Sequence, residues 1–433
     1  MHKILKIDRA IAYTVLLILI VGTLFLKKEN INSISIIVLI VFWIFDKEKN
    51  VKSIIQDKYL FIMIIFFGIS LYGIAISENT KYAIKLTQRA LPFLAFPLIF
   101  HTLKSVNINR NYIKLGLIFS TLAGTIYCQV SNLLYWKWVN SFSTNDFSLL
   151  EYFTHHWFTY SILTNYIDLQ PSFFSLFIIL SVIFILDHLV LNEKRKKLEV
   201  IIGIIIILFF TVFMIQLSSK IGVAVYVIII GYYLFKIRIK KLYKIAIIAV
   251  SGIALAFLLV NSKYYVRIME LQTMFEEKKD EGDNSVNVKR IRVVAFNAFI
   301  SQKPAKIIFG QGTGDAQKYL DSYYDQNILN TASDEVKKQW KVKGLHYHNQ
   351  FIQNFGETGI FGFTALVFML FLSLKKAHQS KQRVHYLFIL MCILFFLSDS
   401  VLMRHKGIVF FVFFNLFFLI KTSQKNETFI HHS

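Results

Sequence analysis

Apolar runs of membrane-spanning length, separated by short polar and basic segments, set the pattern of this 433-residue chain from end to end. A bilayer core of roughly 30 Å asks for about 20 apolar residues per helix. Segments that meet or nearly meet this are centred near Leu19, Val38, Phe67, Leu94, Ser120, Leu180, Leu208, Ile228 and Ala254. After one long polar interval come three more, near Phe363, Leu390 and Phe413. The pattern predicts an all-α, polytopic integral membrane helix bundle of about twelve transmembrane helices. Residues 1–260 carry nine of these spans, with an outer loop at about 134–170. Residues 261–347 form a large outer helical domain, residues 348–421 the last three spans, and residues 422–433 a tail.

Basic residues assign the sides of the membrane, because Lys and Arg in short loops mark the cytoplasmic face. One alternate set of loops is rich in them, including Lys47, Lys49, Lys52 and Lys58, then Lys104, Arg110 and Lys114, then Lys375, Lys376, Lys381 and Arg383. The other set is poorer in Lys and Arg and contains both long intervals. Both termini are therefore expected in the cytoplasm, with the long intervals outside. A formal charge of +22 raises the question of nucleic acid, but the cations lie in short clusters between apolar runs and not along one strip, so no nucleic-acid partner is expected. With 55% hydrophobic and 17% charged residues, and a mean hydropathy of +0.53, the chain is no soluble globular domain. Cys128 and Cys392 both fall in apolar runs and read as small core residues, without a disulfide or metal framework. The first apolar run ends in Lys27 and Lys28 with no small-residue cleavage pattern and reads as a retained helix.

The first outer interval mixes Trp136, Trp138 and Trp157 with other aromatics, as a membrane-interface segment does; an ordinary aromatic belt and a lipid-facing groove both fit it. His155 and His156 lack partners at metal-ligand spacing. In the second interval a charged stretch, 276–285, precedes NVKRIRVVAFNAFIS, where Ile291, Val294, Ala295 and Ala298 recur at helical spacing; this predicts an amphipathic helix with Lys289, Arg290 and Arg292 at one end. FGQGTGD follows. Its three glycines lack the GK[ST] and βαβ context of a nucleotide loop and predict a tight turn, or backbone N–H groups directed at an anion.

The most unusual stretch is GLHYHNQFIQNFGETGIFGF, where a polar, histidine-bearing segment runs directly into an apolar one. His348 and Asn349 sit at the junction, and Glu357 follows further along the same helix. Ionisable groups at membrane depth cost about 2.5 to 3.5 kcal/mol each on insertion scales, so they mark candidate chemistry. Several cations are expected on the same face. Arg290 and Arg292 form either a solvated helix face or a phosphate site, and Arg offers a planar fork suited to phosphate oxygens. Lys220, in QLSSKIGV, lies at a tight outer turn, as an interfacial anchor or a further contact. Arg404, with His405 and Lys406, occupies another short outer turn against the positive-inside bias. Arg89, near the outer end of the fourth span, serves a cavity or a structural ion pair.

These residues resemble the O-antigen ligase and polymerase superfamily of bacterial envelope glycan enzymes. HNQFIQNFGETGIFGF is similar to the family's HN-x-x-L-x-x-x-x-E-x-G-x-x-G pattern, and Arg292 upstream of FGQGTGD resembles its outer-loop Arg before a GxGxG turn. SSKIGV is similar to a family turn in which Arg is usual where Lys220 stands, and Lys offers only a point charge. QPSFFSLF resembles another recurring stretch, with Gln170 where His is common.

The resemblance implies a membrane glycosyltransferase of the bacterial inner membrane with its site facing the periplasm. The donor it implies is an undecaprenyl-diphosphate-linked oligosaccharide. The acceptor hydroxyl belongs to a glycan, to lipid A core or to a protein, and membrane lipids are the remaining partners. Both surface-polysaccharide ligase and polymerase fit these motifs. A diphosphate is already a good leaving group, so no metal, nucleotide or other cofactor is formally required, and the protein must mainly neutralise departing charge. His348 is the expected base, Arg292, Arg290 and Lys220 the diphosphate contacts, and Asn349, Glu357, Arg89 and Arg404 the supporting residues. A transporter or flippase is the rival class; it is expected to show polar residues and helix-breaking glycines near mid-membrane, often in repeated halves, whereas here the notable polar residues gather at the outer ends and no internal repeat is seen.

Overall fold

The computed structural model describes residues 8–49, 51, 53–140, 158–191, 195–236, 288–327 and 346–420. The expected span near Ala254, His155, His156 and Trp157, the charged stretch 276–285, the polar stretch 328–345 and the tail lie outside the described residues, as do the side chains of Lys289, Arg290, Ile291 and Arg292. In chain order the helices are α1 (Arg9–Thr23), α2 (Glu29–Phe45), α3 (Lys58–Ala75), α4 (Thr80–Arg89), α5 (Pro92–Leu103), α6 (Arg110–Asn140), α7 (Tyr160–Thr164) and α8 (Pro171–Leu191). They continue with α9 (Lys197–Leu217), α10 (Lys220–Lys236), α11 (Val288–Ile300), α12 (Pro304–Phe309), α13 (Ala316–Asn327), α14 (Gln350–Gln379), α15 (Arg383–Ser398) and α16 (His405–Phe417). Among the described residues every regular element is helical. Six helical stretches among the described residues, α4 and α5 counting together as Thr80–Leu103, are long and apolar enough to cross a membrane, and four shorter apolar helices accompany them.

Two compact units divide the chain: Met1–Leu39 with Asn109–Lys278, and Ile40–Ile108 with Lys279–Ser433. In the first, α8 is apolar on all faces and almost wholly buried, as a helix without a polar stripe must be. Helix α6 places Gly116, Ser120 and Gly124 at four-residue spacing towards α1 and Phe25; a Cβ on Gly116 would meet Ile18 at 3.3 Å and one on Gly124 would meet Phe25 at 2.8 Å. Small residues allow this approach where burial alone drives helices together weakly. Asn32, fully buried, donates to the carbonyl of Ile20 and to Thr23 Oγ1, both at 2.8 Å, and closes the α1–α2 turn. Ser218, with φ 51°, ends α9, and Ser219 Oγ accepts from Gly222 N at 3.2 Å, so α9 and α10 join in a tight turn that carries the exposed Lys220.

In the second unit α16 is buried at every position. Phe413 meets Phe96 and Phe100 of α5, and Phe411 meets Phe396 of α15. A buried polar knot ties four helices together: Asn415 Oδ1 accepts from the Tyr59 hydroxyl at 2.6 Å and lies 3.0 Å from His385 Nε2, while its Nδ2 donates to Ser373 Oγ at 3.0 Å. Such groups are tolerated in an apolar interior because each finds a partner. The single span expected near Leu94 runs over Thr80–Leu103 and is bent within its length, so that α4 and α5 together make it up. Pro92 fixes the start of α5 after a bend at Ala90 and Leu91, and Arg89 is the last residue of α4.

Helix α14 is broken at Thr358 and Gly359, whose φ/ψ are −130°/16° and 65°/−151°. The break frees the carbonyls of Gly356 and Glu357, and the FGQGTGD turn fills them: Gln311 N and Gly312 N donate to them, each at 2.9 Å. The same turn holds the end of α3, through Thr313 N to the Gly73 carbonyl at 3.2 Å and Gly314 N to Ser77 Oγ at 2.9 Å. Asp315 completes the clasp by accepting from Glu78 N at 2.6 Å and Asn79 N at 3.2 Å. Because the N–H groups of residues 311–314 all reach protein acceptors, the turn is structural, and the alternative of an anion held by this backbone is not what forms.

Gly310 has φ +86°, and a Cβ there would lie 2.4 Å from the Glu357 carbonyl oxygen. Gly310→Ala is therefore expected to cost about 2 to 4 kcal/mol. Gly68→Ala, where nothing lies within 4 Å, is expected to be neutral or slightly stabilising. Thermal unfolding of the two variants in one detergent checks both; equal melting would contradict the clasp.

Candidate active site

The site is built where the chain turns into α14. Tyr347 inserts into an apolar cluster made by Val294, Ala295 and Ala298 of α11 with Leu320 and Tyr324 of α13. The amphipathic helix expected over NVKRIRVVAFNAFIS thus forms, with those apolar positions inward. Burial pushes the Tyr347 phenol above its ordinary pKa, so it stays a neutral anchor. On the other side Asn349 is the N-cap of α14: its Oδ1 accepts from Phe351 N at 2.9 Å and Ile352 N at 3.1 Å. His348 lies between these two fixed points with φ +50°. A bulky residue in the left-handed region costs on the order of 1 to 3 kcal/mol and persists only where its neighbours impose it. Here Tyr347 and Asn349 impose it.

Segment 397–404 is laced against this start. Asn349 Nδ2 donates to the Leu397 carbonyl at 3.2 Å, and Gln350 Oε1 accepts from Leu402 N at 2.6 Å. Arg89 Nη1 donates to the Met403 carbonyl at 3.3 Å, so Arg89 serves a backbone acceptor from the bend after α4. Arg404 is the exposed residue just before α16. His405 and Lys406, expected beside it in the same outer turn, are instead buried in the first turn of α16, because that helix is packed on all sides.

His346 reports the electrostatics. Burial, reinforced by the positive charge of Arg404, by His348 when that ring is protonated, and by Arg89, pushes its pKa down to about 4, against the opposing pull of Asp399. Its ring is therefore neutral at ordinary pH, and its buried Nδ1 makes no hydrogen bond among the described residues. One further imidazole, two guanidiniums and one carboxylate thus act on the His346 ring at the start of α14. Such a set can receive a proton at a nitrogen and hold an anion at the arginines.

The other candidates are placed as follows. Glu357 is the last residue before the break; its Oε1 accepts from Gln353 Nε2 at 2.7 Å and its carbonyl takes the clasp, so it belongs to the scaffold. Arg290 and Arg292 lie in the first two turns of α11, the helix that packs on Tyr347, with side chains outside the described residues. Lys220 belongs to the first unit. Asp399 escaped sequence reasoning, although an acidic residue closing an apolar helix was a usable signal. His346 was legible only as a neighbour of His348. Among the described residues no group of His, Cys, Asp and Glu is arranged to hold a metal ion.

Residues 203–367 match the family model described as O-antigen ligase. A comparison with curated proteins finds no match.

The depressed pKa of His346 has a sign. Between about 4 and the ordinary value of 6.5 the unfolded chain binds a proton that the folded chain refuses, so this contribution is present above 6.5 and is lost as pH falls towards 4. His346→Asn should flatten the fall in melting temperature between pH 6.5 and 4 relative to the parent protein; unchanged slopes would show the ring to be solvated.

Proposed function

Because residues 203–367 carry the O-antigen ligase domain of the ligase and polymerase superfamily, we propose that this membrane protein transfers a glycan from an undecaprenyl diphosphate donor to an acceptor hydroxyl, as a surface-polysaccharide ligase. The observation that carries the proposal is the convergence of His346, His348, Arg89 and Arg404 around the start of α14. In this reading the acceptor oxygen attacks the anomeric carbon, the bond from that carbon to the diphosphate oxygen breaks, and the hydroxyl proton passes to His348. The leaving diphosphate gains charge as the bond breaks, and guanidiniums already in position stabilise that charge without reorganisation. Arg404 and Arg292 are the contacts for it, with Arg290 a further candidate on the same helix as Arg292. Asn349 and Arg89 hold the frame, and Glu357 holds the clasp beneath it. The orientation is that of a bacterial inner-membrane protein of about twelve spans, both termini cytoplasmic, the site and the α11–α13 layer in the periplasm.

The test uses the full chain in detergent with polyprenyl-diphosphate oligosaccharide and neither metal nor nucleotide. Transfer that appears only when a second acceptor is added supports the ligase reading; a ladder of longer glycans on the polyprenyl carrier would make the protein a polymerase. His348→Ala should lower turnover on the order of a hundredfold to ten-thousandfold. Arg404→Gln and Arg292→Gln should each lower it by at least about tenfold. Full activity of a well-expressed His348→Ala variant would overturn the assignment of the base.

A further inference from the structure

At the far end of α14 from His348 lies a second polar cavity that the transfer reaction does not use. It has a volume of 480 Å³ and is open to the surface between the start of α3 and the end of α14. Lys58, Lys375 and Lys376 line it, with Gln56 and Gln379 as further polar groups. None of the three lysines makes an ion pair among the described residues. The carboxylate in its wall, Asp57, is already engaged: it bonds to Lys104 and caps α3 by accepting from Tyr59 N at 3.1 Å. Asp57 also feels the charge of Lys376, but one carboxylate against Lys58, Lys375, Lys376 and Lys104 leaves the cavity a concave polar site of net positive charge among the described residues.

Its depth says what that charge faces. Lys58 is the first residue of one membrane-spanning helix, and Lys375 and Lys376 lie in the last turns of another. Both positions fall where a membrane-crossing segment meets the headgroups. Asn349 caps the start of the candidate span Gln350–Gln379 and Lys375 and Lys376 lie near its end, with the segment from Ile360 to Lys376 alone covering roughly 24 Å at 1.5 Å per residue. The cavity and the histidines therefore belong to opposite faces of the membrane. Lysines that merely snorkel extend singly along a lipid-facing surface. Here three from two helices line one hollow.

We propose that this cavity binds the phosphate headgroup of an anionic phospholipid from the leaflet opposite the glycan site. The phosphodiester oxygens accept from the three ammonium groups, and the acyl chains lie along the apolar lower halves of α3 and α14. Basic pockets between transmembrane helices recognise anionic headgroups in this way.

Native mass spectrometry of the full chain tests it, with dioleoyl phosphatidylglycerol, dioleoyl phosphatidylcholine and inorganic phosphate as separate probes. The expected result is retention of phosphatidylglycerol over phosphatidylcholine, with apparent affinity on the order of a hundredfold weaker in Lys58→Gln/Lys375→Gln/Lys376→Gln. Retention should survive in Lys58→Arg/Lys375→Arg/Lys376→Arg, which also shows that the site and not the fold is being read. Equal retention of phosphatidylcholine, or unchanged phosphatidylglycerol binding in the glutamine variant, would overturn the proposal. So would displacement of the lipid by millimolar inorganic phosphate, which would make the ligand a soluble anion.

Discussion

The break in α14 is the constraint on which the second unit depends. An apolar helix that stops and restarts at membrane depth leaves carbonyls without helical partners, and in a bilayer each unsatisfied group costs several kcal/mol. The carbonyls of Gly356 and Glu357 are satisfied only because a glycine-bearing turn comes close enough to donate to them. That approach requires missing side chains: a Cβ on Gly359 would lie 2.1 Å from the Ile308 carbonyl oxygen. The clasp therefore anchors α12 and the start of α13 to α3 and α14 at once. Through α13 and α11 it fixes the pocket for Tyr347, and through Tyr347 the strained backbone of His348.

Two kinds of polar organisation follow from this frame. At the start of α14 burial, reinforced by neighbouring positive charge, leaves His346 neutral. Deeper in the unit Asn415 is paired with three side chains from three other helices, and those groups serve packing. The difference is one of satisfaction. A buried amide with partners on every side stabilises an arrangement of helices, whereas arginines and a histidine gathered beside an exposed turn retain bonding capacity for a ligand.

Hydrophobic periodicity and residue chemistry made much of this legible in the amino-acid sequence alone. Runs of apolar residues of spanning length had to become helices, because only a helix satisfies its own backbone in lipid. The apolar spacing of Val294, Ala295 and Ala298 determined the face of α11 that turns inward, and Asn349 before a helical run determined where α14 begins. His348, at the polar boundary of an apolar helix, stood out for the same reason. Tertiary structure alone decided that the fourth apolar run is bent at Ala90 and Leu91, that Lys406 is buried, and that the GxGxG turn donates to protein acceptors and not to an anion. It also decided that Asp399 and Arg89 act on His346, and that Lys58 shares a cavity with Lys376. The physical reason is separation along the chain. Periodicity and capping are local, within a few turns, whereas these contacts join residues tens to hundreds of positions apart, and only the packing of whole helices brings them together.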